Sequence, residues 1–382
     1  MNGTFAAFPA WDRDTMIVPI ATSQGYRNEK PMSQWTSYRI TEYGRPLEAQ
    51  CEETPVPQGT EVLMRITHCG VCHSDLHTWE GFFDLGGGRR TQAGGKTLPL
   101  TPGHEIAGEV VAVGPEAVRV EAGDRRVVYP WIGCGAADCP ECRRGDEQMC
   151  GKLSLGVFQH GGFSDHVLVP HPRYLLDYGG LPDALAATFA CSGLSAYAAL
   201  KKVGKLGPHD KLLIIGAGGV GMAGVRLAQM VTGQAPIVAD IDPAKRAAAL
   251  ESGATEVIDP AVPGAAKDFV KATGGAGAAI DFVGAESTVR FGTSALRKGG
   301  KLIVVGLFGG ALQMPIPLFP LLEITIQGSK VGSLPELTEL IALSQAGLFG
   351  AIPYTTRPLA EAARTLADLK EGRILGRVVL TP

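Results

Sequence analysis

The sequence lacks the long hydrophobic run that a membrane helix needs. A membrane-spanning helix takes about 20 consecutive apolar residues, and every apolar stretch of this chain is interrupted before that length. The first residues also lack a basic segment followed by an apolar core, which is the pattern of a secretory signal. We therefore expect a cytoplasmic protein with no membrane partner.

An excess of charge of either sign is missing as well. Lys and Arg number 35 against 38 Asp and Glu, and the resulting net charge of −3 favours neither nucleic acid nor an anionic membrane as a partner. The sequence also has no internal repeat and no low-complexity tract. Its 382 residues predict two domains, at about 100–200 residues per domain. A content of 45% hydrophobic and 19% charged residues is typical of globular proteins.

Cysteine, by contrast, is clustered. The chain has eight cysteines, and clustering in a cytosolic protein indicates metal binding more than disulfides. Metal-capable side chains are dense in Cys69-Gly-Val-Cys72-His-Ser-Asp-Leu-His, and His104 and Cys191 follow farther along. Two thiolates, one imidazole and an open fourth position are what a catalytic zinc needs. A redox dithiol of Cys69 and Cys72 is the alternative, but no thioredoxin-like βαβ pattern surrounds the pair.

A second cluster has the spacing Cys134-(x4)-Cys139-(x2)-Cys142-(x7)-Cys150. Four cysteines this close together can surround one tetrahedral ion without help from elsewhere in the chain. A closed shell of four thiolates leaves no position for a substrate, so this cluster predicts a structural zinc. The remaining Cys51 is interpreted as a small buried apolar residue.

A glycine-rich turn predicts a dinucleotide site. The G-x-G-x-x-G motif follows an apolar strand and opens an Ala-rich helix, and its candidate cofactor-binding residues are Gly216, Gly218, Gly219, Val220 and Gly221. In this context the glycines permit a tight turn, a close approach to a pyrophosphate and packing of helix on strand. Asp240 ends the next predicted strand, where a carboxylate accepts hydrogen bonds from a ribose 2′-OH and repels a 2′-phosphate, which favours NAD over NADP. The alternative is that Asp240 only caps the following helix, a role that suits Asp242 before Pro243 better.

The hydrophobic pattern divides the chain into two parts. Residues from about 36 to 130 are strand-like, with predicted strands at 61–68 and 105–113 and a long surface loop over 84–98. After about residue 192, short apolar strands alternate with Ala-rich helices, as at 211–215, 220–230, 236–239 and 243–251. This alternation is the βαβ signature of a parallel, doubly wound sheet, and it continues to about residue 330. A helix and a strand over 373–380 are predicted at the C-terminus.

Together these motifs resemble the zinc-containing alcohol dehydrogenases of the medium-chain dehydrogenase/reductase superfamily, and within it the bacterial and archaeal tetrameric type. The resemblance extends from about residue 36 to 382, with the motifs in the family's order and a matching Gly-Arg-Val-Val near the end. It implies an α/β protein with a GroES-like, β-rich catalytic domain and a Rossmann coenzyme domain with a doubly wound parallel sheet. The catalytic domain would take residues 32–192 and 331–382, and the coenzyme domain 193–330. Residues 1–31 are interpreted as a poorly ordered extension, a product of an upstream start codon, or an arm that docks on another subunit.

The resemblance also implies roles for individual residues. It makes Cys72, His104 and Cys191 the ligands of the catalytic zinc and leaves Cys69 without a metal. It gives the catalytic machinery as Asp75, which orients the ligating histidine, Glu105 beside the zinc, Ser74 at the substrate oxygen and His77 at the outer end of a proton relay. It adds cofactor contacts at His73, Ser195, Lys245, Val305 and Arg377. It places Trp79, Phe83 and Trp131 in the alcohol pocket, although aromatic residues are equally often plain core.

The sequence departs from the family pattern at two places. The first two cysteines of the structural-zinc lobe are usually separated by two residues, and here the gap holds four, which include Ala136 and Asp138. The second departure is Lys330 in Gly-Ser-Lys-Val-Gly, where the family commonly has an apolar residue near the substrate. The lysine either meets a polar or anionic substrate, or its stem carries the charge out to solvent.

The resemblance implies a zinc-dependent, NAD-linked alcohol dehydrogenase with two zinc ions per chain, acting on a small-molecule alcohol, aldehyde or ketone. The family expectation is a homotetramer, with a dimer as the smaller alternative. A polyol or hydroxy-acid dehydrogenase of the same superfamily is the alternative enzyme, although the polyol branch typically uses a carboxylate where this chain has Cys191. A non-catalytic zinc-binding protein on the same scaffold is the alternative from another class.

Overall fold

The computed structural model describes residues 34–94, 97–349 and 352–382, so the predicted extension over 1–31 lies outside the described residues. Across the described ranges, the strands are β1 Trp35–Arg39, β2 Glu48–Glu52, β3 Val62–Gly70, β4 Phe82–Asp84, β5 Arg90–Gln92, β6 Glu105–Val113, β7 Arg125–Val128, β8 His166–Val169, β9 Leu175–Leu176, β10 Lys211–Ile215, β11 Pro236–Ala239, β12 Glu256–Ile258, β13 Ala276–Asp281, β14 Leu296–Val304, β15 Thr325–Gly328, β16 Tyr354–Pro358 and β17 Arg377–Thr381.

The α-helices of the same ranges are α1 His73–Glu80, α2 Pro140–Arg144, α3 Glu147–Cys150, α4 Asp183–Thr188, α5 Leu194–Val203, α6 Gly219–Thr232, α7 Pro243–Glu251, α8 Ala265–Thr273, α9 Glu286–Ala295, α10 Leu318–Leu322, α11 Leu334–Gln345 and α12 Ala362–Lys370. A π-helical turn, Phe189–Gly193, joins α4 to α5, and single 3-10 turns lie at Pro172–Tyr174 and Leu359–Glu361.

A six-stranded parallel sheet forms the half of the chain that runs from β10 to β15. Its strand order is β12-β11-β10-β13-β14-β15, and β10 and α7 begin and end at the residues that the sequence pattern predicts. The side chains of β10 after Lys211 are buried towards helices on both faces, which explains the unbroken apolar run of that strand. The strand order reverses between β10 and β13, and ligands of open α/β sheets bind at the carboxyl ends of the strands beside such a reversal.

A mainly antiparallel sheet of seven strands forms the other half. Strand β3 lies at its centre, paired with β6 along one edge and with β8 and β17 along the other. Gly70, the last residue of β3, is opposite Glu105, the first residue of β6. The segments that follow β3 and precede β6 therefore meet at one end of this sheet, together with the start of β17.

The region from 84 to 98 differs from the predicted long loop. Strands β4 and β5 form a short hairpin in which Phe82 lies opposite Gln92. Its turn contains three consecutive glycines, Gly86 to Gly88, each with a φ between 61° and 78°. That left-handed conformation is open to glycine at little cost, so the glycines that suggest a loop in the sequence make the hairpin turn instead.

Within the described part of the chain, one continuous helical stretch is both long and apolar: Asp183–Val203, which comprises α4, the π-helical turn and α5. With 21 residues and a mean hydropathy of 1.2, it is long and apolar enough to cross a membrane. It is, however, 94% buried inside the protein, where α4 packs on β3 and β6 and α5 packs on α6. The stretch is therefore a core helix that links the two halves of the chain.

Candidate active site

Three buried side chains converge between the two sheets. Cys72 is the N-cap of α1 just after β3, His104 directly precedes β6, and Cys191 lies in the π-helical turn. Their ligand atoms all lie within 4.8 Å of one another, and the two Sγ atoms are 3.9 Å apart. The antiparallel pairing of β3 with β6 brings the first two together, and the core helix supplies the third. Cys69, the alternative partner of Cys72, lies outside this group, and its Sγ donates to the carbonyl oxygen of Gly70.

Asp75 orients the histidine of this group. Its Oδ1 accepts from His104 Nδ1 at 2.9 Å and from the Gly103 N–H at 3.0 Å, and its Oδ2 accepts from the Cys72 N–H at 2.9 Å. The carboxylate is fully buried. Because Nδ1 of His104 donates its hydrogen to Asp75, the free lone pair of the ring is on Nε2. This nitrogen is buried without a hydrogen-bond partner among the described residues. An unpartnered buried nitrogen beside two thiols suits a metal ion.

The two thiols differ in acidity. A hydrogen bond from the Cys191 thiol, helped by His104 and opposed by burial, lowers the pKa of Cys72 well below its usual range. The same contact with Cys72, together with burial, raises the pKa of Cys191 well above its usual range. Because a metal binds thiolates, occupation of the site requires the proton of Cys191 to leave.

The π-helical turn and Glu105 hold Cys191 in place. Widened turns of this kind are frequent at functional sites, and here the backbone N–H of Ser192 donates to Glu105 Oε1 at 3.0 Å. Burial raises the pKa of Glu105, and Arg377, which forms an ion pair with Oε2, opposes that shift. A Cβ on Gly70 would lie 1.9 Å from Glu105 Oε2, so only glycine leaves room for this carboxylate. Neither the widened turn nor the Glu105–Arg377 contact is evident from local sequence pattern.

The glycine-rich turn adjoins the same ion pair. Gly216 has a φ of +89°, and a Cβ on Gly221 would lie 1.8 Å from the Gly216 carbonyl oxygen. A Cβ on Gly219 would lie 2.2 Å from Arg377 Cδ, whereas Gly218 has no heavy atom within 4 Å of its Cβ position. The turn is therefore closed against Arg377 on one side and open at Gly218, where a phosphate can approach the N-terminus of α6.

Asp240 and Asp242 have separate roles. Asp242 is the N-cap of α7 and accepts from the Ala244 N–H at 2.8 Å, as the sequence predicts. Asp240 accepts from the Ala217 N–H at 2.7 Å and from the Asp242 N–H at 2.9 Å. Each carboxylate oxygen of Asp240 keeps a second lone pair, so the residue braces the glycine turn and retains acceptor capacity for a hydroxyl group.

The predicted relay residues lie along α1. Ser74 and His77 are both half-buried, and the His77 ring lies 4.9 Å from the Phe83 ring. Burial lowers the pKa of His77 and the nearby Glu80 opposes that shift. His77 is therefore held more in its neutral form, which can accept a proton.

The remaining predicted residues are distributed around this centre. Trp131 packs edge-on at 5.1 Å from the His104 ring and donates to the Ala190 carbonyl, whereas Trp79 donates to the Arg45 carbonyl and lies under the Lys370 ammonium. The other predicted cofactor contacts lie on three helices and after one strand: the exposed His73 on α1, the buried Ser195 on α5, the half-buried Lys245 on α7, and the half-buried Val305 after β14.

The four-cysteine lobe forms a second, separate group. Ligand atoms of Cys134, Cys139, Cys142 and Cys150 lie within 4.8 Å of one another. The extra residues between the first two cysteines form a turn in which the Cys139 N–H donates to the Ala136 carbonyl at 3.1 Å, so the longer loop closes. Burial acts to raise the pKa of Cys150, but backbone N–H groups of Lys152 and Cys134 outweigh it and lower the pKa to about 7. The four sulfurs match a closed tetrahedral site.

Two further residues of the sequence analysis are Lys330, whose role stays a prediction, and Cys51. The residue Lys330 is exposed. Its Nζ lies next to the four-cysteine lobe, 3.7 Å from the position that a Cβ atom added to Gly151 would take. Burial lowers the pKa of Lys330, and the Cys150 thiolate opposes that shift.

Cys51 is exposed on β2, 3.7 Å from the Thr36 hydroxyl, so its interpretation as a buried apolar residue is wrong. Strand β2 pairs only with β1 among the described strands, which leaves its side chains largely in solvent.

Comparison with known proteins agrees with this geometry. Residues 58–179 match the alcohol dehydrogenase GroES-like domain and residues 219–346 match the zinc-binding dehydrogenase domain. An NAD-dependent alcohol dehydrogenase of Sulfurisphaera tokodaii is 36% identical over 90% of this chain and 99% of its own length. A D-arabinose 1-dehydrogenase (NADP(+)) of Saccharolobus solfataricus is 32% identical over 90% of this chain and 96% of its own length.

The fold agrees as well. The crystal structure of the alcohol dehydrogenase from Aeropyrum pernix matches with a TM-score of 0.80 and 31% identity, over 91% of this chain and 100% of that one. The predicted combination of a GroES-like domain with a parallel-sheet coenzyme domain is confirmed. The chain belongs to the zinc-containing alcohol dehydrogenases of the medium-chain dehydrogenase/reductase superfamily.

Proposed function

We propose that this chain oxidises an alcohol to an aldehyde or ketone, reversibly, with NAD as the hydride acceptor and two zinc ions per chain. One observation carries the proposal above the others. The unpartnered Nε2 of His104 lies with two buried thiols at a site that a single ion pair, Glu105 with Arg377, joins to the glycine-rich turn. Because the ion pair joins the metal site to the dinucleotide turn, a substrate at the metal and a nicotinamide cofactor could be held side by side, as hydride transfer requires.

The catalytic metal would be held by Cys72, His104 and Cys191. Two sulfurs and one imidazole nitrogen are a typical donor set of a catalytic zinc, which keeps a fourth position open. When bound there, zinc supplies a Lewis acid that favours loss of the alcohol proton. Asp75 fixes the tautomer and the orientation of His104, and Glu105 fixes the segment that carries Cys191. Trp131 packs edge-on against the His104 ring.

The proton would leave along α1. Ser74 and His77 follow Cys72 by two and five residues, so both lie within the first turns of one helix. In the proposed path the Ser74 hydroxyl would accept the alcohol proton, and His77 would release it at the edge of the site. NAD, when bound, would supply ribose hydroxyl groups between the two residues. The neutral state of His77, favoured by burial, is the state that a general base needs.

The cofactor would bind at the carboxyl end of β10. The open face at Gly218 and the N-terminus of α6 would receive the pyrophosphate, with His73 and Arg377 as further contacts. Asp240 would accept from the ribose hydroxyls, and Lys245 would contact the same ribose. Ser195 and Val305 would lie near the nicotinamide. The carboxylate of Asp240 disfavours a 2′-phosphate, although the D-arabinose relative is described as NADP-dependent.

The polyol and hydroxy-acid alternative rests on relatives that act on sugar derivatives. Besides the D-arabinose enzyme, an L-galactonate-5-dehydrogenase of Escherichia coli is 31% identical over 86% of this chain and 94% of its own length. Cys191 as a zinc ligand favours the simple alcohol reading. Steady-state assays with NAD and NADP over primary and secondary alcohols, diols and sugar acids test both readings. Exclusive turnover of sugar acids would favour the alternative, and no turnover of any member would oppose the proposed function.

The domain boundaries, assembly and location are further parts of the proposal. The two sheets support a catalytic domain of 32–192 with 331–382 and a coenzyme domain of 193–330. We expect a homotetramer in the cytoplasm, or else a dimer. Ile316 and Leu321, 76% and 70% exposed, lie before the edge strand β15 and offer an apolar surface to a second copy. Light scattering on the purified protein tests the assembly, and a monomeric mass would contradict it.

A further inference from the structure

Lys330 connects the coenzyme half of the chain to the four-cysteine lobe. It follows β15, the edge strand of the parallel sheet, and its Nζ lies 3.7 Å from the Cβ position of Gly151. Gly151 directly follows Cys150, so the ammonium lies beside the last cysteine of the lobe. The two departures from the family pattern, this lysine and the enlarged cysteine loop, therefore meet at one lobe.

The turn that carries Lys330 has a strained backbone. Val331 has a φ of +45°, a left-handed conformation that a β-branched residue keeps only where its surroundings hold it. Several contacts hold the turn. The Ser329 N–H donates to the Val304 carbonyl at 2.9 Å, and the Tyr129 hydroxyl donates to the Gly332 carbonyl at 3.0 Å. Ser333 then caps α11.

The same turn packs on the helix that follows the proposed ligand Cys191. A Cβ on Gly332 would lie 2.7 Å from Leu194 Cδ1, so the turn contacts this side chain without a gap. Leu194 is the first residue of α5, directly after the π-helical turn that contains Cys191. A displacement of the turn would reach the metal-ligand segment through this contact.

We propose that Lys330 is a positioning residue whose ammonium faces the metal-loaded four-cysteine centre and ties the strained turn 329–333 to it. This inference rests on the proposed function, because it requires a divalent ion in the lobe. Four thiolates around a divalent ion carry a net charge of −2, which attracts a nearby cation. The loaded lobe thereby helps to keep the turn packed against Leu194.

The test compares Lys330→Met, which keeps the length and packing of the stem, with Lys330→Arg, which keeps the charge. Lys267→Met, at an exposed site on α8, controls for loss of a surface lysine. Zinc release to a chromogenic chelator is followed in the intact protein. We expect release of the lobe zinc to be about two- to fivefold faster in Lys330→Met, because a partly exposed ion contact contributes up to about 1 kcal/mol. Lys330→Arg and Lys267→Met should behave like the wild type.

Hydrogen exchange of the 329–333 amides supplies a second readout. Exchange should be faster in zinc-loaded Lys330→Met than in the zinc-loaded wild type, and loss of the lobe zinc should accelerate it in the wild type. Release and exchange rates equal to the wild type would overturn the inference. So would a loss confined to turnover of carboxylate-bearing alcohols, which would place Lys330 at the substrate. A wild type with one zinc per chain would overturn the proposed structural zinc as well, and the two failures are thus distinguishable.

Discussion

Replacement of Asp75 by asparagine should weaken the catalytic metal site without disturbing the four-cysteine lobe. Asp75 is fully buried and accepts three N–H groups. In Asp75→Asn the amide oxygen can replace Oδ1 and keep the bonds from Gly103 and His104. The amide NH₂ then replaces Oδ2 and faces the Cys72 N–H at about the present 2.9 Å, donor against donor.

The cost follows from that contact. A buried donor that loses its acceptor costs about 1–3 kcal/mol, and loss of an outer partner of a metal ligand typically lowers metal affinity about 10- to 100-fold. The middle of that range, about 30-fold in affinity, corresponds to about 2 kcal/mol. We therefore expect the catalytic zinc of Asp75→Asn to bind about 30-fold more weakly than that of the wild type.

The assay is a competition for zinc with a chelator of known affinity, read by elemental analysis after desalting. The lobe zinc is an internal control that should remain bound in both proteins. Asp268→Asn, which removes an exposed carboxylate from α8, is the matched control and should retain both ions. Unchanged affinity of the catalytic site in Asp75→Asn would refute the orienting role of Asp75.

Three further predictions concern the cofactor, the relay and the lobe. The wild type should prefer NAD over NADP by at least about 10-fold in kcat/KM, the factor given by about 1.4 kcal/mol. Asp240→Ala should reduce this preference. Equal kcat/KM of the wild type with the two cofactors would refute the role of Asp240. Burial lowers the pKa of His77 below its usual value of about 6.5, so alcohol oxidation should be steady near neutral pH and fall only in more acidic buffer. His77→Gln should reduce this fall and slow oxidation modestly, whereas Ser74→Ala should do more damage; a His77→Gln profile identical to that of the wild type would contradict the relay. Cys134→Ser should release the lobe zinc and lower Tm, with the catalytic zinc retained, and a protein that keeps both ions would contradict the structural site.

The elements with a strong local pattern could be predicted from the sequence. The buried strand β10 and the capped helix α7 lie where the sequence places them, because an apolar run and a cap before proline are local signals. The hairpin β4–β5 could not be predicted in this way, since consecutive glycines suggest a loop whether or not the flanking residues pair. Exposure of Cys51 depends on the position of β2 outside the two large sheets, which no local pattern encodes.

In the candidate site, too, the residue types could be predicted from the sequence, whereas several contacts between them could not. Its cysteines and histidine are recognisable from residue type and family order, although Cys72 and Cys191 are 119 residues apart. The Glu105–Arg377 ion pair spans 272 residues and depends on the register of β17 beside β3. The widened turn at Cys191 lies inside a continuous apolar helix, so hydrophobic pattern alone does not reveal it. Contacts that depend on register and helix phase are thus the part that the sequence leaves open.

The most direct test of the central claim is a paired measurement of zinc content and NADH formation in the wild type and in Cys191→Ser. We predict two zinc ions per chain and alcohol-dependent NADH formation for the wild type. Cys191→Ser should retain one zinc, in the four-cysteine lobe, and should still bind NADH with its fluorescence change while forming no measurable NADH from alcohol. Two retained zinc ions with undiminished turnover in Cys191→Ser would contradict the account.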